Sequence, residues 1–215
     1  MQTIKFGVLI PTRGDRPNFL KNCLAQIERQ TLKPSIINIV DFTPRSNEKD
    51  ITLRYKVGYE YLSTKNLDCI FFIEDDDFYA KDYFETMLNK WEENDRPDLL
   101  GTSYTIYYHT KLRAWFHMNH TERSSAMSTL IKPNLPLTWC ADNDPYTDIH
   151  IWSQNFRKVI FTPKKNICLG MKHGVGLCGG NNHLNKLERF RNDDSNLEFL
   201  RFNMDLEPFK FFTSL

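Results

Sequence analysis

The five residues Cys69-Ile-Phe-Phe-Ile73 are apolar without exception, and the next four, Glu74-Asp-Asp-Asp77, are all acids. No other stretch of the chain limits the fold as strongly. An extended run with no polar residue has no side to turn toward water. It therefore reads as a central strand covered on both faces, as strands are in a parallel sheet packed between helices. The four carboxylates then fall at that strand's carboxyl end, where open α/β sheets bind their ligands.

The rest of the first hundred residues agrees with such a sheet. Phe6-Gly-Val-Leu-Ile10, stopped by Pro11, reads as a buried strand, and Ile36 to Val40 as a second one ending at Asp41. Between them, Asp15 is expected to cap a helix with Pro17 in its first turn and Leu20, Leu24 and Ile27 on its apolar face. Asp50 is expected to cap the next helix, with Ile51, Val57, Tyr61 and Leu62 facing the core. Phe84, Met87, Leu88 and Trp91 mark a third helix after the acids. The order βαβαβα predicts a parallel sheet with right-handed crossovers.

Beyond residue 100 the pattern changes. Thr102 to Tyr108 and Leu112 to Met118 read as strands around a turn at Thr110-Lys111, with further strands at Ala126 to Ile131 and Val159 to Phe161. Ile149, Trp152 and Phe156 have helical spacing, residues 170 to 183 read as a Gly-rich loop region, and the tail from Asn185 as one or two amphipathic helices. The expected class is α/β: one domain over 1–215 with a mixed, mostly parallel sheet flanked by helices. Its parts are a nucleotide-binding half (1–100), an acceptor and metal-loop half (101–183) and a helical tail (184–215). The apolar end, Phe209 to Leu215, either packs on the core or marks a cut from a longer protein.

Composition narrows the function. Lys and Arg number 28 against 27 Asp and Glu, a net charge of +1, so no overall field draws the chain to nucleic acid or an anionic membrane. No apolar run is long enough for a membrane span, and no signal-peptide pattern opens the chain, so a cytoplasmic location is expected. Five cysteines without a CxxC give neither a disulfide frame nor a zinc knuckle, and Cys23 and Cys69 read as small core residues.

The topology brings Thr12, Arg13, Asp41 and the acidic row to one sheet edge. Arg13 suits a phosphate there, and Asp41 suits a base or ribose unless it only closes a turn. Four adjacent carboxylates repel one another unless a cation or protons intervene. A hard divalent ion fits better than helix capping, since one acid is enough for a cap.

Phe6-Gly-Val-Leu-Ile-Pro-Thr-Arg13 resembles the opening strand and loop of GT-A-fold glycosyltransferases that use nucleotide-diphosphate sugars, the family-2-like group in particular. Ile70-Phe-Phe-Ile-Glu-Asp-Asp-Asp-Phe-Tyr79 resembles their DxD segment. The resemblance covers the first hundred residues well and the remainder loosely. It implies that Pro11, Thr12, Arg13 and Asp41, with Asp75 and Asp76, hold the nucleotide, and that DxD acids hold Mn²⁺ or Mg²⁺ on the donor diphosphate. Both Asp75-Asp76-Asp77 and Glu74-Asp75-Asp76 fit the motif; Asp75 and Asp77 are the favoured metal pair, with Asp76 third.

Tyr146-Thr-Asp-Ile-His-Ile-Trp152 resembles the family's Glu-Asp segment beneath the acceptor site, with Thr147 in place of Glu. Asp148 is thereby the candidate base, and Asp142 and Asp144 are its alternatives. Met171-Lys-His-Gly-Val-Gly176 resembles a late His-and-Gly loop in which His173 completes the metal shell; a solvated His in a flexible loop is the other reading. Trp139 is the candidate sugar-stacking residue, whereas Trp152 has core spacing. His109, His117, His120 and His183 carry no assigned role. A narrower resemblance, to chlorella-virus capsid glycosyltransferase domains, would put the chain in a host cytoplasm. The expected partners are a nucleotide-sugar donor, with UDP as the nucleotide by resemblance, and a glycan or glycoprotein acceptor. A sugar-nucleotidyltransferase and a non-catalytic nucleotide-sugar module are the competing readings. The former would want a Gly-rich basic loop after the first strand, and Thr12 to Phe19 has a single Gly.

Overall fold

The computed structural model describes residues 4–43, 49–174 and 188–215. In chain order, Phe6–Pro11 (β1), Pro17–Glu28 (α1), Ile36–Val40 (β2), Ile51–Ser63 (α2) and Cys69–Phe72 (β3) lead to the acidic turn. Phe78–Tyr79 (β4), Tyr83–Glu93 (α3), Leu99–Thr102 (β5), Tyr104–His109 (β6), Ala114–Asn119 (β7), a short 3-10 turn and Thr129–Ile131 (β8) follow. Thr147–Ser153 (α4), Lys158–Phe161 (β9), Cys168–Lys172 (β10), Asn192–Asp193 (β11), Glu198–Asn203 (α5) and Leu206–Thr213 (α6) complete the order.

Six strands form the main sheet in the order β2-β1-β3-β8-β5-β9. β1 runs parallel to β2 and β3, and β9 parallel to β5, while β8 is antiparallel to both neighbours. The sheet is thus mixed and mostly parallel, as the α/β reading expects. Alternation along its strands supplies two cores. Val8, Ile10, Phe71 and Ile73 pack toward α1 and α3, and Leu9, Ile70 and Phe72 toward α2. All four residues of β3 are buried, because both faces are covered.

A second sheet, β11-β7-β6-β10-β4, was not legible as such. The expected hairpin, β6–β7, is its centre. β10 pairs with β6 in parallel and with β4 antiparallel, so the stretch read as the start of a loop region is a strand. Long-range pairing of this kind leaves no local periodicity to read. Residues 175–183 of that predicted loop lie outside the described residues.

The expected caps and the expected face of α2 differ in the structure. Asp15 does not cap α1; Arg16 holds the N-cap position, with no side-chain cap hydrogen bond, and Asp15 pairs with Arg13 instead. Asp50 precedes α2 but spends its carboxylate on Arg54 and Arg13. α2 buries Tyr55, Gly58, Tyr59 and Leu62, whereas Val57 and Tyr61 are exposed. The buried set repeats at intervals of three and four residues along one stripe, and Val57 and Tyr61 fall off it. Gly58 lets the helix approach the sheet: a Cβ there would stand 2.7 Å from Leu9.

In the tail, α6 returns to the first half of the chain. Phe212 is buried and Phe211 meets Phe19 of α1 edge-on at 5.4 Å. No helix among the described residues is long and apolar enough to cross a membrane.

Candidate functional site

The carboxyl ends of β1, β2 and β3 meet at one edge of the main sheet. Thr12, leaving β1, donates its backbone N–H to the carbonyl of Val40 in β2 (3.0 Å) and its hydroxyl to Asp75 after β3 (2.6 Å). A buried arginine organises this edge. Arg54 on α2 donates to the carbonyls of Thr12, Val40 and Phe42 and to the Asp50 carboxylate. Sequence reading missed it, because an arginine inside a helix normally signals a solvated face. Asp41 itself is exposed at the end of β2 and does not line the cleft formed here.

The acidic turn divides its side chains between several partners. Asp75 accepts from Thr12 and from the Arg16 guanidinium at 2.9 Å. Asp76 accepts from Arg16 at 2.5 Å and stands 2.9 Å from His173 Nε2. Asp77 is buried; its Oδ1 accepts the Met171 N–H at 2.7 Å, and its Oδ2 has no hydrogen-bond partner. One carboxylate oxygen from each of Glu74, Asp76 and Asp77 lies within 4.8 Å of the others. The geometry thus draws Glu74 and Asp76 in beside Asp77, whereas Asp75 is engaged by Thr12 and Arg16.

His173 directly follows β10 and is 2% exposed. Its ring stacks obliquely on Phe19, with centroids 4.3 Å apart. The solvated reading of this histidine does not hold, because α1 and the acidic turn close over it.

The charges in this pocket do not balance evenly. Burial, then Asp76, raises the Glu74 carboxyl to about 7, and the same two causes raise Asp75 to about 6 against the pull of Arg16. Burial, with Glu74 and Asp76 next, pushes Asp77 well above the usual carboxylate range. Asp76 is the exception: burial pushes it up, but His173, Arg16 and Lys172 together pull it below the usual range. Lys172, whose Nζ lies 4.9 Å over the Tyr107 ring, is pulled down by burial, yet Asp77, Tyr107, Glu74 and Asp76 outweigh that pull. Burial, and after it the repulsion of neighbouring carboxylates, raises three of the four acids, and a bound cation would offset both. With an orphaned buried oxygen on Asp77 and an imidazole against Asp76, the cluster's donors fit a divalent cation that accepts both oxygen and nitrogen, which favours Mn²⁺ over Mg²⁺.

Two clefts flank this turn. The first is lined by Pro11, Thr12, Arg13 and Arg16 from the β1 end and by Glu74, Asp75 and Asp76. The second, of about 320 Å³, is lined by Tyr107 and Phe116, stacked at 5.3 Å, and by Arg123 and Asp148. They share Ile51, Glu74, Pro145 and Lys172, so one wall serves both.

The solved structures with this architecture include S. aureus TarS 1–349 in complex with UDP and in complex with UDP-GlcNAc. Both superpose with a TM-score of 0.53, at 13% and 11% identity, over 78% and 80% of this chain and 60% of theirs. The single α/β domain, with its mixed sheet flanked by helices, is similar in fold to these structures. The matched region spans about 60% of the length of those chains, and at such identities the likeness concerns the fold alone. No protein-family model matches the sequence, and no curated protein is significantly similar to it.

Within this fold, Asp148 sits in the first turn of α4, its side chain 17% exposed and 2.5 Å from Arg123. Burial raises its carboxyl, and Arg123 opposes the rise. Of its alternatives, Asp142 is exposed, and Asp144 accepts from the Tyr146 N–H and pairs with His150. The expected face of α4 is corrected: Ile149 is exposed, and Ile151 and Trp152 are the buried pair. Trp139 is not brought to either cleft. It packs edge-on against Tyr59 at 5.9 Å in the α2-side core, so the aromatic wall of the second cleft is Tyr107 and Phe116 instead. Arg16 and Lys172 are further residues lining the site, beside Glu74, which the Glu74-Asp75-Asp76 reading of the motif included. Their signal was positional only: Arg16 follows the first loop, and Lys172 abuts His173.

Proposed function

We propose that this chain is a metal-dependent, GT-A family-2-like glycosyltransferase that moves a sugar from a nucleotide-diphosphate donor to a glycan or glycoprotein acceptor. The observation that carries the reading is the shared wall: two clefts meet at Glu74 and Lys172, one edged by the acidic turn and Arg13, the other by aromatic rings and Asp148. A two-substrate transfer needs such adjacency, because the donor carbon and the acceptor oxygen must lie within reach of each other.

In this reading Thr12 and Arg13 receive the nucleotide, and Asp41, outside the cleft lining, is given no contact with it. Asp76 and His173, with Glu74 and Asp77 beside them, would hold Mn²⁺ or Mg²⁺, and Asp75 orients Arg16 against the same turn. A bound divalent cation would supply charge neutralisation for the leaving diphosphate. Lys172 adds a half-buried positive charge to the shared wall. Tyr107 and Phe116 offer a stacking face to the acceptor sugar. Asp148 takes the acceptor hydroxyl proton as that oxygen bonds to the donor carbon and the carbon–phosphate oxygen bond breaks. UDP-sugars are the first donors to try, since the two fold neighbours were solved with UDP and UDP-GlcNAc.

The test is a panel of UDP-sugars with Mn²⁺, scored for release of UDP with and without candidate acceptors. Sugar-dependent UDP release, lost in Asp76→Asn by at least about 10²-fold, is the expected result. Release of pyrophosphate from a nucleoside triphosphate and a sugar phosphate would favour the nucleotidyltransferase instead. Donor binding with no turnover on any acceptor would favour a binding module.

A further inference from the structure

A second group of ligating side chains lies apart from the acidic turn. Cys140, Asp144 and His150 each offer one donor atom, and those atoms all lie within 4.8 Å of one another. His150 Nε2 is already 3.2 Å from Asp144 Oδ2. Ligand atoms around a tetrahedral zinc, with bonds of about 2.0–2.3 Å, stand roughly 3.5 Å apart, so small side-chain movements would complete such a shell. Neither composition nor the CxxC spacing of zinc knuckles flags this group, because the loop and the first turns of α4 fold it together.

We propose that Cys140, Asp144 and His150 form a binding site for a borderline-soft divalent cation of the zinc class, leaving a fourth position to water. The donor set selects the metal: one sulfur, one nitrogen and one oxygen suit zinc and disfavour magnesium or calcium. On binding, the Cys140 thiol loses its proton to solvent as the sulfur–metal bond forms. Thiolate and carboxylate together then match the charge of a divalent ion.

The surroundings hold the loop ready. Thr52 Oγ1 on α2 donates to the Asp144 carbonyl at 2.6 Å and lies 3.5 Å from Cys140 Sγ. The Asp144 N–H closes a turn on Ala141, and Asp144 Oδ1 accepts the Tyr146 N–H at 2.8 Å, which leaves Oδ2 facing His150. A cation here would tie the loop and α2 to α4. Pro145 and Asp148, which line the clefts, lie within that span. The site is therefore a staple that positions the Asp148 turn, and it stands whether or not the acidic turn holds a metal.

Titration of the purified chain with Co²⁺, followed by displacement with Zn²⁺, tests the proposal. Tetrahedral Co²⁺ bound to a thiolate shows a sulfur charge-transfer band and strong visible absorption, and only a cysteine ligand produces the former. One equivalent should give both, Zn²⁺ should remove both, and Cys140→Ser should abolish the charge-transfer band. His150→Ala should weaken Co²⁺ binding by at least about tenfold. His150 is largely exposed, which keeps that variant informative if Cys140→Ser misfolds. Cys178→Ser and Asp76→Asn should each retain the band, and Zn²⁺ should raise the melting temperature of the wild type but not of Cys140→Ser. No thiolate band in the wild type, its persistence in Cys140→Ser, its loss in Cys178→Ser, or unchanged affinity in His150→Ala would overturn the proposal.

Discussion

Asp148 is held from two directions: burial pushes its carboxyl up, and Arg123 draws it back. A carboxylate whose proton affinity is raised suits the base role proposed for it, since removal of an acceptor proton requires such affinity. Asp148→Asn keeps the size and removes the basicity. Donor binding should survive it, and transfer should fall by about 10²–10⁴, measured as turnover against Kd for the donor. Wild-type turnover in that variant would put the base elsewhere or make the reaction a retaining one, and the anomeric configuration of the product distinguishes those outcomes. At this scale the motif residues of the acidic turn were legible, because an apolar strand ending in four acids is unusual in itself. Their division of labour was not. Asp75 turns to Thr12 and Arg16 while Asp76 faces His173, and all three partners lie far away in sequence. Trp139 failed as a stacking residue for the same reason: proximity to Asp142 along the chain says nothing of Tyr59, which it packs against.

Among the elements, α2 depends most on a residue that local pattern cannot explain. Its Arg54 is 1% exposed and holds the carbonyls of Thr12, Val40 and Phe42 as well as Asp50. Arg54→Met removes all of those donors and leaves the buried Asp50 carboxylate only the longer Arg13 contact at 3.5 Å. Loss of one partner of a buried ion pair costs about 3–5 kcal/mol, which denaturant unfolding would read directly. A loss under about 1 kcal/mol would show that water reaches these groups. β7 and the stretch after it present a second testable element. His120 lies 2.9 Å from the Thr105 hydroxyl and 3.3 Å from that of Ser125, and burial, with Arg123 second, lowers it from 6.5 to about 4. Between those values the unfolded chain binds a proton that the folded one refuses. This contribution therefore makes stability rise with pH across the window and fall as pH drops through it. His120→Gln cannot protonate, so its stability should decline less than that of the wild type between about pH 6.5 and 4, as followed by urea midpoints. Parallel declines would mean that His120 takes up its proton in the folded state.

For the whole molecule, the parallel half was readable because each strand and helix carries its own period, and the order of elements then restricts the topology. The second sheet was not, since β10 joins β6 and β4 across long stretches of chain and its own residues lack alternation. That sheet matters for function: it brings Lys172 and His173 to the acidic turn and Tyr107 and Phe116 to the second cleft. The site is a product of both sheets, and its central claim is that nucleotide diphosphate binds there through a divalent cation. Calorimetric titration of the chain with UDP, in Mn²⁺ and again in excess EDTA, tests this most directly. The account predicts measurable binding with Mn²⁺ and at least about tenfold weaker binding under chelation, with Asp76→Asn in Mn²⁺ resembling the chelated wild type. Equal affinity with and without the metal would contradict it.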